Sequence, residues 1–275
     1  MARPNALQDS TQPDFGRYAP DTAQRRLRAL FFETPLGFTR LRRPALNALK
    51  RRGGPLDAEL FGYKVRFHPD DNTSDAKAAL LGRCFNATEL TWLRRALPDG
   101  GVFVDVGANM GFFTLAAARR ASRVVAIEPN PALFERLRFN LDLNGLDHVH
   151  AVEAALGETD GGTLTLGPTS GDLGTGTISA TGEGRSVACR SLTSVLAQHG
   201  VAAVDVLKID VEGYEDRVLA PFLASAGDAL LPRSMLIEVS SRAVWASDLL
   251  GAMARRGYRR KARSRGNAWY VRDGR

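Results

Sequence analysis

From residue 102 onward, short apolar runs alternate with stretches of helical periodicity, and this alternation constrains the fold more than any other feature. The runs predicted to be strands are 102–106, 123–127, 148–154, 204–209 and 234–239. The helices predicted between and after them are 111–121, 131–143, 212–224 and 243–256. Strands separated by helices are typical of a parallel sheet covered on both faces. We therefore predict an α/β fold with a doubly wound, mostly parallel seven-stranded sheet, ending in an antiparallel hairpin over 258–273.

The first 52 residues differ in character from the rest. Residues 1–20 are polar and contain three prolines, so we predict disorder there. Residues 21–52 are predicted to form short basic amphipathic helices, the first capped by Asp21 or Thr22. This suggests two parts, a basic N-terminal extension (1–52) and a main domain (53–275). Within the main domain we predict a strand or hairpin at 61–69, an Asn86-capped helix at 86–97, and a loop or β-hairpin over the sheet at 157–185.

The charge of the chain is unevenly distributed. The net charge is +7, but residues 1–52 hold 11 basic and 4 acidic residues, and residues 255–275 hold nine and one. The body between them is therefore net acidic. Only five of the 37 basic residues are lysines. A high isoelectric point can indicate a nucleic-acid partner, but the acidic body and the scarcity of lysine argue against one. The basic extension has four interpretations that stay open: packing on the main domain, a homodimer contact, a lid over the acceptor, or attachment to an anionic membrane surface. The oligomeric state is otherwise undetermined.

Localisation is predicted to be cytoplasmic. No run of 18 apolar residues is present, which predicts no transmembrane helix, and the start lacks the apolar core of a signal peptide. Cys84 and Cys189 are far apart and have no metal-like spacing, which argues against a disulfide framework or a structural zinc site.

The stretch V-D-V-G-A-N-M-G (104–111) lies where the first strand of the alternation turns into a helix. In doubly wound sheets such a turn is the usual place for a nucleotide-type ligand. Its glycines are spaced G-x-x-x-G, unlike the G-x-G-x-x-G of dinucleotide sites. Asp105 would also be an unfavourable neighbour for a pyrophosphate. A carboxylate beside this turn favours a ligand that carries a cationic group. Glu128 ends the next strand, about twenty residues on, where an acid commonly binds a ribose diol.

Several motifs together resemble one family. They are V-D-V-G-A-N-M-G, I-E-P-N-P, L-N-G, E-A-A-L-G, L-K-I-D-V-E-G-Y-E and L-I-E-V, in this order within residues 85–240. In this order they resemble the FkbM-type methyltransferases, which are Rossmann-like class I enzymes that use S-adenosylmethionine. The resemblance implies a methyltransferase whose motif core is 85–240. The N-terminal 60 residues and the last twenty match no family pattern.

The resemblance also implies roles for single residues. Asp105, Gly107, Asn109 and Gly111 would frame the methionine part of the cofactor. Glu128 would bind the ribose hydroxyls, with Asn130 nearby. Ala154 and Ala155 would line the adenine. Asp210, with Glu212 nearby, would face the sulfonium and the acceptor.

Three carboxylates are candidates for the chemistry. The segment 208–212 alternates, so Asp210 and Glu212 share a face if the strand continues. Glu238 ends the neighbouring strand. These acids are candidate catalytic residues that deprotonate the acceptor. A divalent metal such as magnesium stays open as a second use of the same acids, but we assign no metal ligands. Lys208 is interpreted as an ion-pair partner of one acid; Glu212 is alternatively a helix N-terminal acid.

We predict O-methylation of a hydroxyl on a small molecule such as a sugar, a polyketide or another secondary metabolite. Enzymes that methylate base amino groups commonly carry an Asn/Asp-Pro-Pro-aromatic element after the fourth strand, where this chain has I-D-V-E-G. The alternatives are an RNA methyltransferase that uses the basic termini, an NAD(P)-dependent oxidoreductase, and a non-catalytic binding module.

Overall fold

A seven-stranded sheet forms the centre of the molecule in the computed structural model, which describes residues 13–167, 171–180 and 182–274. Its strands, in their order across the sheet, are β12 (Tyr258–Arg263), β13 (Asn267–Arg272), β11 (Ser234–Glu238), β10 (Val206–Ile209), β3 (Val102–Val106), β4 (Arg123–Ile127) and β5 (Val149–Val152). The five strands from β11 to β5 are parallel, while β13 is antiparallel to β11 and β12 is antiparallel to β13. The predicted sheet and its antiparallel C-terminal hairpin are confirmed.

Helices pack on both faces of this sheet. Those that lie between or directly before its strands in the chain are α4 (Ala87–Ala96), α5 (Phe112–Ala118), α6 (Pro131–Asp142), α7 (Leu192–Gln198), α8 (Glu215–Ser225) and α9 (Leu249–Arg255). Successive residues of a strand point to opposite faces. Accordingly, Phe103 belongs to one hydrophobic core and Val104 to the other. Burial on both faces explains why these strands read as continuous apolar runs.

The chain order places a switch point between β3 and β10. From β3 the chain proceeds to β4 and β5 on one side, and β10 and β11 lie on the other side. At such a point the strand-to-helix turns diverge and leave a crevice at the carboxyl ends of the strands. This crevice is where the motifs of the sequence come together.

A smaller sheet lies between β5 and α7 in the chain. Its strands, in spatial order, are β6 (Ala155–Gly157), β9 (Arg185–Ser191), β7 (Thr163–Leu166) and β8 (Ile178–Ser179). The predicted loop or hairpin at 157–185 therefore contains one antiparallel strand pair, β7 with β8. β9 and α7 were not predicted.

The elements that precede α4 share a hydrophobic core with one face of the central sheet. These elements include α1 (Thr22–Phe31), α2 (Arg42–Arg52), β1 (Leu56–Leu60), β2 (Tyr63–Phe67) and α3 (Thr73–Leu81). Asp21 caps α1 in a capping box with Gln24. Asn86 does not cap α4, because its backbone is left-handed and its side chain makes no cap hydrogen bond. Among the described helices, none combines the length and the apolar character needed to cross a bilayer.

A buried ion pair fastens the chain just before α1. The Arg66 guanidinium contacts Asp57 at 2.7 Å and donates to the carbonyls of Pro13 and Asp14. Asp57 also accepts from the backbone N–H groups of Gly16 and Tyr18. These contacts hold residues 13–18, which we predicted to be disordered. The prediction for residues 1–12 lies outside the described residues, and the division into two parts at residue 52 stays a prediction.

Candidate functional site

The turn after β3 brings two strand ends into contact. Gly107 has φ +74°, and a Cβ there would lie 1.9 Å from the carbonyl oxygen of Asp210 at the end of β10. Only glycine fits so close an approach with this backbone conformation. The N–H groups of Gly107 and Ala108 both donate to the carbonyl of Ile127, each at 3.0 Å. The ends of β3, β4 and β10 are thereby fixed to one another around the turn.

Asn109 continues the turn with a left-handed backbone, φ +54°. Its Oδ1 accepts from the N–H of Met110 at 2.8 Å and from Nδ2 of Asn72 at 2.6 Å. Asn72 caps α3 with its own Oδ1, which accepts from Ser74 and Asp75. The Asn72 contact links the turn to an element 37 residues earlier, and the sequence analysis did not predict it. Its only signal was the N-T-S-D capping pattern.

Glu128 lies one residue beyond β4 and is buried. Its Oε2 accepts from the N–H of Asn109 at 2.7 Å, and its Oε1 accepts from the N–H of Asn130 at 2.9 Å. Burial raises the pKa of Glu128 to about 7, although these two hydrogen bonds favour the ionised form. The Asn130 side chain caps α6 and donates to the carbonyl of Leu173. The carboxyl group is therefore held in one orientation beside the turn.

A cavity of about 120 Å³ lies at these strand ends. Its walls include Gly107, Asn109, Glu128, Asn130, Lys208, Asp210 and Glu212. The segment between β7 and β8 closes it with Leu173, Gly174 and Gly176, and the strand ends Leu166 and Ile178 complete the apolar side. The backbone N–H of Leu173 donates to the carbonyl of Asp71, which ties this roof to the start of α3. Ligand sites usually measure about 300–1,000 Å³, so this cavity is smaller than a site that holds a cofactor-sized ligand.

Asp105 lies beneath the cavity and does not line it. The residue is 0% exposed; its Oδ2 accepts from Thr114 Oγ1 at 2.7 Å, and its Oδ1 lies 3.4 Å from Nζ of Lys208. Lys208 is its direct partner in the register of β10 on β3. Asp105 therefore acts on the site through Lys208, and our expectation that its carboxylate faces a cationic ligand needs this correction.

Lys208 connects the buried acid with the cavity. Its Nζ donates to the carbonyl of Gly107 at 2.7 Å and lies 4.0 Å from the carboxylate of Asp210. The interpretation of Lys208 as an ion-pair partner is confirmed, with Asp105 as the closer acid. The ammonium group thereby holds the glycine turn against β10.

Asp210 and Glu212 both line the cavity, but they do not share a strand. β10 ends at Ile209, and Glu212 has a left-handed backbone with φ +54°. The expectation that 208–212 continues as one alternating strand is therefore wrong. Glu212 precedes α8, which begins at Glu215, so it is not in the first turn of that helix. The turn brings Glu212 back to the cavity wall.

This turn is held by a buried carboxylate. Oε1 of Glu215 accepts from the N–H groups of Val211 and Gly213, and its Oε2 accepts from Nε1 of Trp245. The Glu212 side chain is accessible on one side. Its partial burial at the wall, together with the charges of Asp210 and Glu215, raises the pKa of Glu212 to about 7.

Glu238 ends β11 beside this pair and is buried, although it does not line the cavity. Its Oε1 accepts from the N–H of Ser240, and its Oε2 has no hydrogen-bond partner among the described residues. Burial and the charges of Asp210, Glu215 and Glu212 raise the pKa of Glu238 to about 7. Glu238 therefore lies behind the cavity wall, and the charges of the cavity acids raise its pKa.

Two further expectations concern Gly111 and Ala155. Gly111 has φ +98°, and a Cβ there would lie 2.8 Å from Leu137, so it allows α5 and α6 to pack closely. Ala155 is buried in the small sheet, where it pairs with Cys189 on β9, and it does not line the cavity. The proposed adenine contact is not seen, because the chain enters β6 at this residue.

The sequence analysis missed the aromatic wall of the cavity. Phe85, Phe112 and Phe113 line it, and the Phe85 and Phe112 rings lie 4.9 Å apart. The apolar residues of F-F-T-L after the glycine turn were assigned only to the helix. Within the described ranges, no group of three His, Cys, Asp or Glu side chains is arranged to hold a metal ion. The magnesium alternative is therefore not supported by the placement of these acids.

Comparison with known proteins identifies one matching family model. The Methyltransferase FkbM domain matches residues 105–260, which include the glycine turn, Glu128 and all three candidate catalytic acids.

Similar proteins include a methyltransferase named for a 31-O-demethyl compound and one named for 23S rRNA. The chain is 32% identical over 170 residues to 31-O-demethyl-FK506 methyltransferase FkbM of Streptomyces tacrolimicus, covering 48% of this chain and 64% of that protein. It is 31% identical over 86 residues to Methyltransferase 1 of Beauveria bassiana, covering 30% and 32%. It is also 41% identical over 106 residues to the 23S rRNA (uracil(1939)-C(5))-methyltransferase RlmD of Alkalilimnicola ehrlichii, covering 38% and 23%. Each match spans less than two thirds of the relative's length.

Proposed function

The chain belongs to the FkbM methyltransferase family, and from that premise we propose that it is an S-adenosylmethionine-dependent enzyme that methylates a hydroxyl group of a small molecule. The observation that carries the proposal is the group of carboxyls at the ends of β10 and β11. Glu212 lines the cavity with a pKa of about 7. A carboxyl group with that pKa is matched to removing a proton near neutral pH.

The residues of the cavity fit S-adenosylmethionine. Gly107 lets the turn lie against the carbonyl of Asp210, and Glu128 presents a buried carboxylate at the strand end, where the two hydroxyls of a ribose would donate hydrogen bonds to it. Asn130 would lie beside the ribose, and Leu133, Leu166 and Ile178 offer an apolar surface for the adenine. When bound, S-adenosylmethionine supplies a methyl group on a sulfonium centre.

The chain's own task is to orient the acceptor and take its proton. In our proposal the acceptor hydroxyl donates to Glu212, which accepts the proton. Burial and the charges of Asp210 and Glu215 keep the pKa of Glu212 raised, since like charges disfavour a further ionisation. Glu215 and Trp245 hold the turn that carries Glu212. Positioning of this kind can supply several kcal/mol of the barrier reduction, up to about 7–11 kcal/mol.

An oxygen acceptor is supported by two further points. FkbM of Streptomyces tacrolimicus is named for a 31-O-demethyl acceptor. RlmD is named for methylation at uracil C5, and chemistry at that carbon needs a nucleophile such as a cysteine thiolate. This chain has two cysteines, and neither Cys84 nor Cys189 lines the cavity. In addition, burial raises the pKa of both thiols, which disfavours the thiolate.

A transfer assay with S-adenosylmethionine carrying a carbon-13 methyl group tests the proposal. The full chain is incubated with small polyhydroxylated acceptors, with amine analogues of the same acceptors, and with single-stranded RNA. The carbon-13 chemical shift of the product distinguishes a methyl group on oxygen from one on nitrogen or carbon.

The expected result is an O-methyl product from at least one hydroxyl acceptor, lost in Glu212→Gln. Methyl transfer only to RNA, or only to the amine analogues, would show that the acceptor is not a hydroxyl group of a small molecule. The family assignment would stand in either case.

A further inference from the structure

The exposed large apolar side chains are concentrated in one segment. Among the described residues five such side chains are exposed, and four of them lie between residues 30 and 41. They are Leu30, Leu36, Phe38 and Leu41. Phe38 is 61% exposed and Leu41 is 58% exposed, far above what a packed connection between two helices requires. Contiguous exposed apolar side chains of this kind commonly mark an interaction site.

This exposure belongs to an anchored segment. Phe31 at the end of α1, together with Ala45 and Leu49 of α2, is buried in a core of the main domain. Between the helices, Gly37 packs against Cys84 so closely that an added Cβ would lie 3.0 Å from the Cβ of Cys84. The apolar side chains are therefore held outward by a fixed backbone.

Arginines surround the same segment. A surface groove of about 440 Å³ is lined by Phe38, Thr39, Arg40, Arg42, Arg43 and Arg265. Arg265 lies in the turn between β12 and β13, 222 or more residues away from the other three arginines in the sequence. The two basic ends of the chain thus meet at one place on the surface. No carboxylate lines this groove, and no ion pair of these four arginines is found among the described residues.

We propose that this basic-apolar face, formed by Leu30, Leu36, Phe38, Leu41 and the four arginines of the groove, docks on an anionic lipid bilayer. Planar guanidinium groups bind phosphate oxygens in pairs. Apolar side chains beside them enter the boundary between the headgroups and the acyl chains. The face combines both properties in one short segment.

Other occupants fit this face less well. A second copy of the chain would bring four arginines against four arginines. Single-stranded RNA is bound by basic grooves in which bases stack on aromatic rings. Phe38 is the one aromatic residue of the face, and the three leucines have no counterpart in a phosphate backbone. An anionic bilayer offers phosphates to the four arginines and an apolar boundary to the four apolar side chains of the face.

The face also adjoins the cavity wall through the backbone. Gly37 contacts Cys84, and the next two residues, Phe85 and Asn86, line the cavity. Docking would therefore bring one wall of the active site toward the lipid. The docking itself does not depend on which acceptor is methylated, and its test does not use methyl transfer.

Co-sedimentation of the full chain with vesicles tests the proposal. Vesicles of phosphatidylcholine mixed with phosphatidylglycerol are compared with vesicles of phosphatidylcholine alone, at low and high salt. Phe38→Ser is paired with Val244→Ser, which places serine at the one other exposed large apolar side chain among the described residues. Arg40→Glu is paired with Arg185→Glu, the same charge reversal at an exposed arginine of β9.

We expect sedimentation with the anionic vesicles only, weakened by salt because exposed charges are screened. Phe38→Ser and Arg40→Glu should each reduce binding about tenfold or more, and the two control variants should not. Equal binding of the face variants and their controls would overturn the proposal. So would loss in Arg40→Glu alone, which would show charge attraction without insertion. Retention of single-stranded RNA in a parallel filter assay, without vesicle binding, would assign the groove to RNA instead.

Discussion

The two halves of the crevice at the strand ends hold their carboxyl groups in opposite environments. At the ends of β3 and β4, Asp105 is paired with Lys208 and Thr114, and Glu128 accepts two backbone hydrogen bonds. At the ends of β10 and β11, Glu212 and Glu238 lie near Asp210, and no ion pair of either is found among the described residues. The acids at β3 and β4 are therefore fixed by hydrogen bonds or an ion pair, whereas the acids at β10 and β11 lie close to other acids.

In the proposed function, this difference separates cofactor binding from proton transfer. A carboxyl group fixed by hydrogen bonds offers a prepared site for a ligand's polar groups. Carboxyl groups that raise one another's pKa are suited to exchanging a proton near neutral pH. We therefore assign the β3–β4 half to the cofactor and the β10–β11 half to the acceptor.

The largest effect is expected where the two halves touch. In Gly107→Ala the new Cβ must displace the carbonyl of Asp210, whereas Gly100 has nearly the same φ, +75°, and nothing within 4 Å of an added Cβ. Gly100→Ala should cost about 1–2 kcal/mol of unfolding free energy and leave cofactor affinity unchanged. Gly107→Ala should lose measurable binding of S-adenosylmethionine in calorimetric titration. Equal behaviour of the two variants, in unfolding and in titration, would contradict the close contact.

Glu212→Gln should act on the acceptor half alone. Replacing the proposed base is expected to lower kcat by roughly 10²- to 10⁴-fold. The Kd for S-adenosylmethionine should stay within about twofold, because no described contact joins the Glu212 side chain to the β3–β4 half. Glu153→Gln, at an exposed position after β5, is the matched control. A large rise in the Kd for S-adenosylmethionine would contradict the division of the crevice into a cofactor half and an acceptor half.

Glu128→Gln should act on the cofactor half alone. The amide can accept only one of the two backbone hydrogen bonds, and it removes a charge-assisted partner for a ribose, so Kd should rise by about 10- to 100-fold. Titration measures Kd, and kcat at saturating cofactor serves as the internal control. Unchanged affinity would mean that the ribose is held elsewhere.

The smallest effect concerns the acid beneath the cavity. Thr114→Val removes the hydroxyl that donates to Asp105 and keeps the shape of the side chain. We expect a loss of about 1–3 kcal/mol in the unfolding free energy measured with urea. Thr91→Val, where the hydroxyl bonds a helix carbonyl, should cost less. A fall in kcat without a fall in stability would show that Asp105 takes a direct part in the reaction.

Local patterns in the sequence were sufficient for the central sheet and for the position of the glycine turn. The strand runs of the central sheet, the turn at Gly107 and the position of Glu128 depend on neighbouring residues and were predicted where the structure has them, whereas β9 and α7 were not predicted. Asp105 was misjudged because its environment depends on strand register, which sets Lys208 directly opposite it. The contact of Asn72 with Asn109 and the approach of Arg265 to Arg40 join distant parts of the chain, and no local periodicity indicates them.

The pH dependence of kcat/KM, compared between the unaltered chain and Asp210→Asn, tests the assignment of the acceptor half most directly. The base must be ionised to accept a proton, so kcat/KM should rise with pH. The rise should have an apparent pKa near 7, because burial and neighbouring charges raise the pKa values of Glu212 and Glu238 to about 7. Asp210 contributes to raising both pKa values. Its neutralisation should therefore move the rising limb to lower pH, whatever it does to the maximal rate. A limb that stays in place, or moves to higher pH, would contradict the account.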